Sequence, residues 1–343
     1  MATATTPKSI FINQGSRVPK YRQVVNTVLW EIEQEEYKPG DRLPSINENS
    51  AEYDLSRDTV EKAYRELCHR GIITSVPGKG YYLNARPEHA TLKVLVILNK
   101  LSPFKADIYR AFVQEAGSKV AATIYVHDYN PRSFQGFVLD NLGFYDYYLI
   151  MPHFVGSLDI VRKTLAKIPK NKLILLDKDV PDVGGNYGLI AQDYAQDVYK
   201  ALGEAAEDLQ KYERLSLILP ERMRNKGDIQ HGVSVFCREK QIPLQTYEGT
   251  ADLEVKKGDV YLVVDETDLS DIIRKSQQAK LKPGRDIGIL AYNDTPLKSV
   301  LAGGINVVTT DHLLMGQEAA RMVLNHSLRR ISNPFRYIRR ATL

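Results

Sequence analysis

Residues 21–83 constrain this chain most, because they carry the full punctuation of a small helical domain closed by a β-hairpin. Val24, Val25, Val28, Leu29 and Ile32 fall at helical spacing in the run 21–34. Tyr37-Lys38-Pro39-Gly40-Asp41 breaks that run. Ser45 stands as an N-cap with Glu48 three residues on, the pairing of a capping box, so a second, short helix opens there. Tyr53-Asp54-Leu55 turns the chain, Ser56 caps a third helix predicted over 57–69, and Gly71 ends it. Residues 72–74 and 81–83 read as two short strands around the tip Val76-Pro77-Gly78-Lys79-Gly80. Helices and a basic hairpin in this order make a winged helix-turn-helix, with one helix N-terminus in a major groove and a lysine-bearing loop beside the backbone.

The same residues carry a resemblance. Leu43-Pro44-Ser45, Leu55-Ser56-Arg57-Asp58-Thr59-Val60, Ala63, Leu67, Gly71 and Pro77-Gly78-Lys79-Gly80 resemble the N-terminal domain of GntR-family transcriptional regulators. Several motifs agree in order, which is far more specific than a lone helix-turn-helix pattern. The resemblance implies a double-stranded DNA operator as partner. Arg57 and Thr59 would lie near base edges and Ser45 and Lys79 on phosphates, with Arg42, Asn47, Ser56, Lys62, Tyr64 and Gly80 completing the interface. One position departs: the family usually has arginine two residues after the Leu-Pro-Ser serine, where this chain has Asn47. Asparagine reaches a phosphate or an adenine edge, but it brings no positive charge.

Charge alone would not reveal a DNA binder. Basic and acidic residues balance over residues 1–90, so the net charge of +4 lies in the remainder. Binding must rest on local placement of Arg57, Lys62, Arg65, Arg70 and Lys79, with an acidic first helix turned away. A solvated helix face is the plainer reading of Lys62 and Arg65. Cys68 and Cys237 sit far apart and fit neither a disulfide framework nor a metal spacing. No apolar run is long enough for a signal peptide core or a membrane span, which places the expected chain in the cytoplasm, away from membranes.

At 343 residues the chain is too long for one average domain. A winged helix-turn-helix over 1–85 and a short linker over 86–91 leave 92–343 for a second domain. There, strand-like runs at 92–98, 122–127, 145–151, 173–176, 215–219, 260–264 and 287–291 alternate with helical patterns at 105–119, 131–142, 157–168, 191–209, 228–240 and 269–280. Such alternation argues for parallel sheets covered by helices on both faces. The length, about 250 residues, exceeds one doubly wound sheet and suggests two lobes. An aminotransferase-like partner would need a longer chain and a recognisable cofactor lysine, and a smaller ligand domain would leave much of this length unused. Late segments resemble the periplasmic-binding-protein-like core of LacI/GalR-family repressors. They are Leu281-Lys282-Pro283-Gly284-Arg285-Asp286-Ile287-Gly288-Ile289, Tyr292-Asn293-Asp294, residues 305–311, Gly316-Gln317-Glu318-Ala319-Ala320 and Arg339-Arg340-Ala341-Thr342-Leu343. The expected fold is therefore an α+β winged helix-turn-helix followed by a two-lobed α/β periplasmic-binding-protein-like domain. The resemblance places the first lobe at about 92–190 and 311–327, and the second at about 191–310 and 328–343.

Ligands of open parallel sheets bind beyond the carboxyl ends of the strands. The residues following each expected strand are Asn99 to Phe104 with Asp107, then Pro152-His153-Phe154, Asp177-Lys178-Asp179, Asp265-Glu266 and Tyr292-Asn293-Asp294. Carboxylates, amides and aromatics converging on one cleft suit a polyhydroxylated ligand. Ser102, Phe104, Asp107, His153, Asp177, Lys178, Arg222, Asp265, Glu266 and Asn293 are the candidate effector contacts. The resemblance favours Asp177, Asp265 and Asn293 among them. An Asp after a strand is also a common helix cap, which is the plainer reading of Asp179 and Asp268, and His153 or Phe104 also fits as a packed core residue. LacI-type sensors often have an arginine three residues before the glycine of the first second-lobe helix. If Gly232 is that glycine, this chain has Ile229 there. Arg222, Arg224 or Lys178 then supplies the charge, or the sugar is less hydroxylated on that side, as in a deoxyhexose such as L-fucose.

No Gly-x-Ser-x-Gly, His-Glu-x-x-His or Walker loop occurs, so neither an enzyme nor a cofactor or metal site is expected. The combined reading is a homodimeric, sugar-responsive regulator, more readily a repressor of a sugar-utilisation operon, whose lobes close on a monosaccharide and displace the DNA-binding heads. Ile108, Ala111, Phe112 and Ala116 are expected to serve dimerisation. A sugar-binding enzyme or a transport-type binding protein with an accessory DNA-binding head is the alternative.

Overall fold

The computed structural model describes residues 12, 18–33, 36–85, 91–220 and 226–343. The expected linker other than Thr91, together with Arg222 and Arg224, lies outside these residues. The chain forms two compact units, one of Met1–Leu189 with Gly316–Arg329 and one of Ile190–Met315 with Arg330–Leu343.

The first unit opens with α1 (Lys20–Glu33), α2 (Ile46–Tyr53) and α3 (Arg57–His69), then the antiparallel hairpin β1 (Ile73–Val76) and β2 (Gly80–Leu83). The apolar stripe of α1 supplies buried Val24, Val25, Val28 and Leu29, which meet Val60, Ala63 and Leu67 of α3 in one core. Both sequence-read caps form. Ser45 Oγ accepts the Glu48 N–H at 3.2 Å while Glu48 accepts the Ser45 N–H at 2.6 Å. Ser56 Oγ accepts the Thr59 N–H at 3.3 Å. The hairpin is tied to the chain after α1, since the Gly40 and Leu83 N–H groups donate to the Leu83 and Asp41 carbonyls.

The rest of the unit is a lobe built on β3 (Leu92–Leu98), β4 (Val120–Val126), β5 (Tyr147–Ile150), β6 (Leu173–Asp177) and β7 (Gly188–Ala191), with α4 (Pro103–Ala116), α5 (Pro131–Asn141) and α6 (Asp159–Leu165) between them. With the late strand β13 (Arg330–Ser332) at its edge, the sheet has the order β13-β7-β6-β5-β3-β4, with parallel pairing from β4 through β6. Every residue of β5 and β6 is buried, as expected of parallel strands covered on both faces. The sheet order reverses direction at β3 and β5, which makes their carboxyl ends the switch point where such sheets take ligands.

The second unit repeats this plan. Its segments are α7 (Tyr194–Glu204), α8 (Ala206–Leu209), β8 (Arg214–Ile218), α9 (Lys226–Glu239), β9 (Leu244–Tyr247), β10 (Asp259–Val263), α10 (Glu266–Gln278), β11 (Gly288–Tyr292) and β12 (Asn306–Thr310). α11 (His312–Leu324) returns the chain to the first unit from Gly316 on, and β14 (Phe335–Ile338) of the second unit pairs antiparallel with β12. The order is β14-β12-β11-β10-β8-β9, so β8 and β10 flank its switch point.

Two expectations need correction. Residues 191–209 are not one helix: Ala191 ends β7, Asp193 caps α7, which begins only at Tyr194, and two helices meet at Ala205. Ile108, Ala111, Phe112 and Ala116 are not offered to a second chain. They are buried within this one, and Gly316 lies so close to α4 that a Cβ there would overlap the Ile108 carbonyl oxygen.

Candidate functional site

One exposed face of the winged helix is assembled by the two caps and the hairpin. Asn47, Arg57 and Lys79 are exposed, at the start of α2, the start of α3 and the hairpin tip. Arg42 is also exposed and bridges to Tyr82, and its guanidinium lies over Gly80, whose φ is +113°. A Cβ at Gly80 would stand 3.0 Å from Arg42 Nε, so glycine lets the arginine lie against the wing. Ser56 and Thr59 share a 2.8 Å hydroxyl contact at the amino end of α3. Lys62 is exposed, with its Nζ 4.3 Å above the Tyr21 ring.

Tyr64 corrects the expected interface. It is fully buried, donates its hydroxyl to the Pro44 carbonyl at 2.7 Å and accepts from Asn49 Nδ2 at 2.9 Å. It pins the start of α2 to α3 and cannot touch DNA. Arg70 is likewise diverted: its Nε donates to Glu66 at 2.7 Å, and its guanidinium lies 3.7 Å over the Phe144 ring. Arg65 pairs with Glu61 at 3.8 Å, an exposed contact of little energy.

At the carboxyl edge of the first-lobe sheet, three buried side chains meet. Lys105 Nζ and His153 Nε2 each lie 2.8 Å from Asp177 Oδ2. Asp177 has a left-handed backbone with φ 76°, uncommon outside glycine and best tolerated by Asp and Asn. Burial alone would raise its carboxyl, but the Lys105 ammonium and the His153 contact hold it well below the usual carboxylate range. Ser102 caps α4, accepting the Lys105 N–H at 3.4 Å, and thereby fixes where Lys105 begins its reach. Beside the triad, Asn99 and His127 are buried after β3 and β4. Asn99 Oδ1 and His127 Nδ1 have no hydrogen-bond partner among the described residues. Burial lowers His127, whose Nε2 lies 3.0 Å from the Met151 carbonyl and whose ring stacks on Phe154 at 4.3 Å. A neutral ring donating there keeps Nδ1 as an acceptor. Phe104 is half-buried, Lys178 is exposed, and Asp107 pairs with Arg110 at 2.8 Å on the flank of α4.

On the corresponding edge of the second sheet, Asp265 caps α10 by accepting the Thr267 N–H at 2.8 Å. Glu266 is exposed. Asn293 is left-handed, with φ 61°, and its carbonyl accepts from Lys298 Nζ at 2.8 Å. Lys298 is buried, donates also to the Tyr292 carbonyl at 3.0 Å and approaches Glu266 to 3.9 Å. Asp294 next door is gripped by Arg340 at 2.6 and 2.9 Å. Arg222 lies outside the described residues, and Ile229 is a fully buried core residue of α9. Lys105, Lys298 and Arg340 escaped the strand-end rule, since each reaches its edge from a helix, a 3₁₀ turn or the tail. Among the described residues no group of three His, Cys, Asp or Glu could hold a metal, and no helix is long and apolar enough to cross a membrane.

Residues 20–83 match the family described as bacterial regulatory proteins, gntR family. The repressor YtrA of Bacillus subtilis (strain 168) is 33% identical over 107 residues, 31% of this chain and 82% of YtrA. The uncharacterised regulator YcxD of the same strain is 42% identical over 64 residues, 19% of this chain but only 14% of YcxD's own length. Among solved structures, the Lac repressor bound to ONPG in its repressed state superposes with a TM-score of 0.60 at 16% identity, over 84% of this chain and 90% of that one. A LacI-family regulator from Enterococcus faecium with bound ribose gives a TM-score of 0.59 at 16% identity, over 73% and 98%. The α/β part of the chain thus has the fold of LacI-type regulators.

Proposed function

We propose that this chain, which belongs to the gntR family of bacterial regulatory proteins, is a dimeric operator-binding repressor whose hold on DNA is relaxed by a neutral monosaccharide. The DNA half of the reading rests on Asn47, Arg57 and Lys79 standing exposed on the face framed by the Ser45 and Ser56 caps. Arg57 and Thr59 read bases, while Ser45, Lys79 and the backbone at Gly80 hold phosphates.

The observation that carries the sensor half is the Lys105–Asp177–His153 cluster at the first-lobe switch point. One ammonium and one carboxylate cancel there, so a buried neutral polyol adds no unmatched charge. A phosphorylated or acidic sugar would bring an anion to a cluster whose one ammonium is already matched by Asp177. Lys105 and His153 offer donors and Asn99 an acceptor, the mixed set that hydroxyls satisfy. Phe104, next to Lys105 at the start of α4, supplies a ring face. Related folds bind ribose in the Enterococcus faecium regulator, and we extend that chemistry class to this chain, with L-fucose the specific candidate.

A thermal-shift screen of the whole chain tests this. A neutral aldose or deoxyhexose at 100 times its dissociation constant should add about 2.7 kcal/mol to folding, and Asp177→Asn should abolish the shift. Stabilisation by sugar phosphates or sugar acids alone would overturn the reading. The His153–Asp177 contact also has the geometry of an oriented catalytic base, so a sugar chemically altered on incubation would favour the enzyme reading.

A further inference from the structure

The winged helix and the first lobe belong to one compact unit, and one corner of the lobe makes the join. Between α5 and β5 the chain turns at Gly143, φ +78°, and a Cβ there would overlap the side chain of Leu29 on α1. Asn26 Nδ2 donates to the Leu139 carbonyl at 3.1 Å. Phe144 packs on the core of the winged helix, with Arg70 capping its ring. Apolar, hydrogen-bonded and cation–π contacts therefore meet on a few consecutive residues. The face used is that of α1 and the far end of α3, whereas Asn47, Arg57 and Lys79 remain exposed.

The corner is itself held from β5. The Tyr148 hydroxyl, fully buried, accepts the Gly143 N–H at 2.8 Å and donates to the Asn141 carbonyl at 2.9 Å. Beyond Tyr148, β5 runs through buried Leu149 and Ile150 to Met151 and His153. One short, fully buried strand thus has the head's docking corner at its start and the Asp177 cluster at its end. Packed interiors transmit such displacements because they cannot absorb them.

We propose that residues 139–145 are the coupling surface of this protein, that its partner is the chain's own winged helix, and that β5 links this docking to the state of the Asp177 cluster. The functional meaning of the coupling rests on the proposed DNA-binding and sugar-sensing roles, but the docking and its link do not. The test therefore uses neither DNA nor sugar. Trp30, the single tryptophan, lies in α1 and reports unfolding of the head. In the full chain its fluorescence transition should coincide with the far-UV transition of the lobe. Phe144→Ala should separate them, the Trp30 midpoint falling by about 4–8 °C. Arg70→Gln, which removes the ring contact from the head's side, should do the same if the first variant folds poorly. Asp177→Asn, or the milder His153→Gln, should lower the Trp30 midpoint in the parent chain and leave it unmoved once Phe144 is truncated. Separate transitions in the parent, coincident ones in both docking variants, or an equal effect of Asp177→Asn in both backgrounds would overturn the proposal. Absence of operator binding or of a sugar response would overturn the proposed function and leave these results standing.

Discussion

Asp197 shows how burial tunes a single residue. It accepts the Asp193 N–H at 2.9 Å near the start of α7, and burial pushes its carboxyl up to about 6 against the lowering by that N–H. Its folded value lies above the ordinary unfolded value of about 3.9. Its contribution to stability is thus complete below about pH 4 and is lost as pH rises through 6. Asp197→Asn keeps the acceptor and removes the charge, so it should stabilise the second unit by about 1–2 kcal/mol at pH 7.5 and by nothing at pH 4. Urea titrations at the two pH values decide it, and equal gains at both would contradict the assignment. Lys105 shows the reverse case. Lys105→Met should cost about 3–5 kcal/mol by leaving Asp177 buried without its cation, and adding Asp177→Asn should recover much of that loss. Lys105 was not legible in the sequence, because the strand-end rule samples loops. A residue one turn inside a helix leans back toward its N-terminus and so reaches the same edge. Tyr64 failed in the other direction: a tyrosine beside Lys62 and Arg65 reads as surface, and only the Pro44 carbonyl explains how its hydroxyl is buried without penalty.

Among the elements, helices announced themselves through their caps. Ser45 with Glu48, and Ser56 before Arg57, fix the starts of α2 and α3 from the sequence. Short strands did not. β7 and β9 are four residues each and, unlike the equally short β5 with its apolar run Tyr147-Tyr148-Leu149-Ile150, carry Gly188 or the polar pair Gln245-Thr246, so no apolar run marks them. The Gly232 position was read only as a family landmark, whereas its physical role is close packing. A Cβ there would overlap the Ala195 carbonyl oxygen, where α9 crosses α7. Gly232→Ala should therefore force these helices apart and cost about 1–3 kcal/mol, read as a lowered urea midpoint. An unchanged midpoint would mean that α9 slides freely. In the winged helix, Ser45→Ala should cost about 1 kcal/mol through the lost cap, a loss visible in the Trp30 melting transition and absent if the capping box is decorative.

At the scale of the whole molecule, the two resemblances that ordered motifs suggested, a GntR-type head and a LacI-type sensor fold, both hold. The composition, neutral over the head, gave no hint of either. What the sequence left open is how the head is carried, because docking through Gly143 and Phe144 depends on a corner that reads as an ordinary turn. Sedimentation of the full chain at micromolar concentration should give a dimer, as paired heads on paired half-sites require, whereas a monomer would remove the basis for cooperative operator recognition. In the proposed function, a small neutral sugar governs sequence-specific DNA binding. Its most direct test is selection of fragmented genomic DNA by the full chain, followed by elution with individual monosaccharides, with Arg57→Ala run in parallel. One two-fold-related sequence should be enriched and released by one neutral sugar, and Arg57→Ala should bind it about 1–3 kcal/mol more weakly. Retention without sequence preference, or identical enrichment by Arg57→Ala, would contradict it.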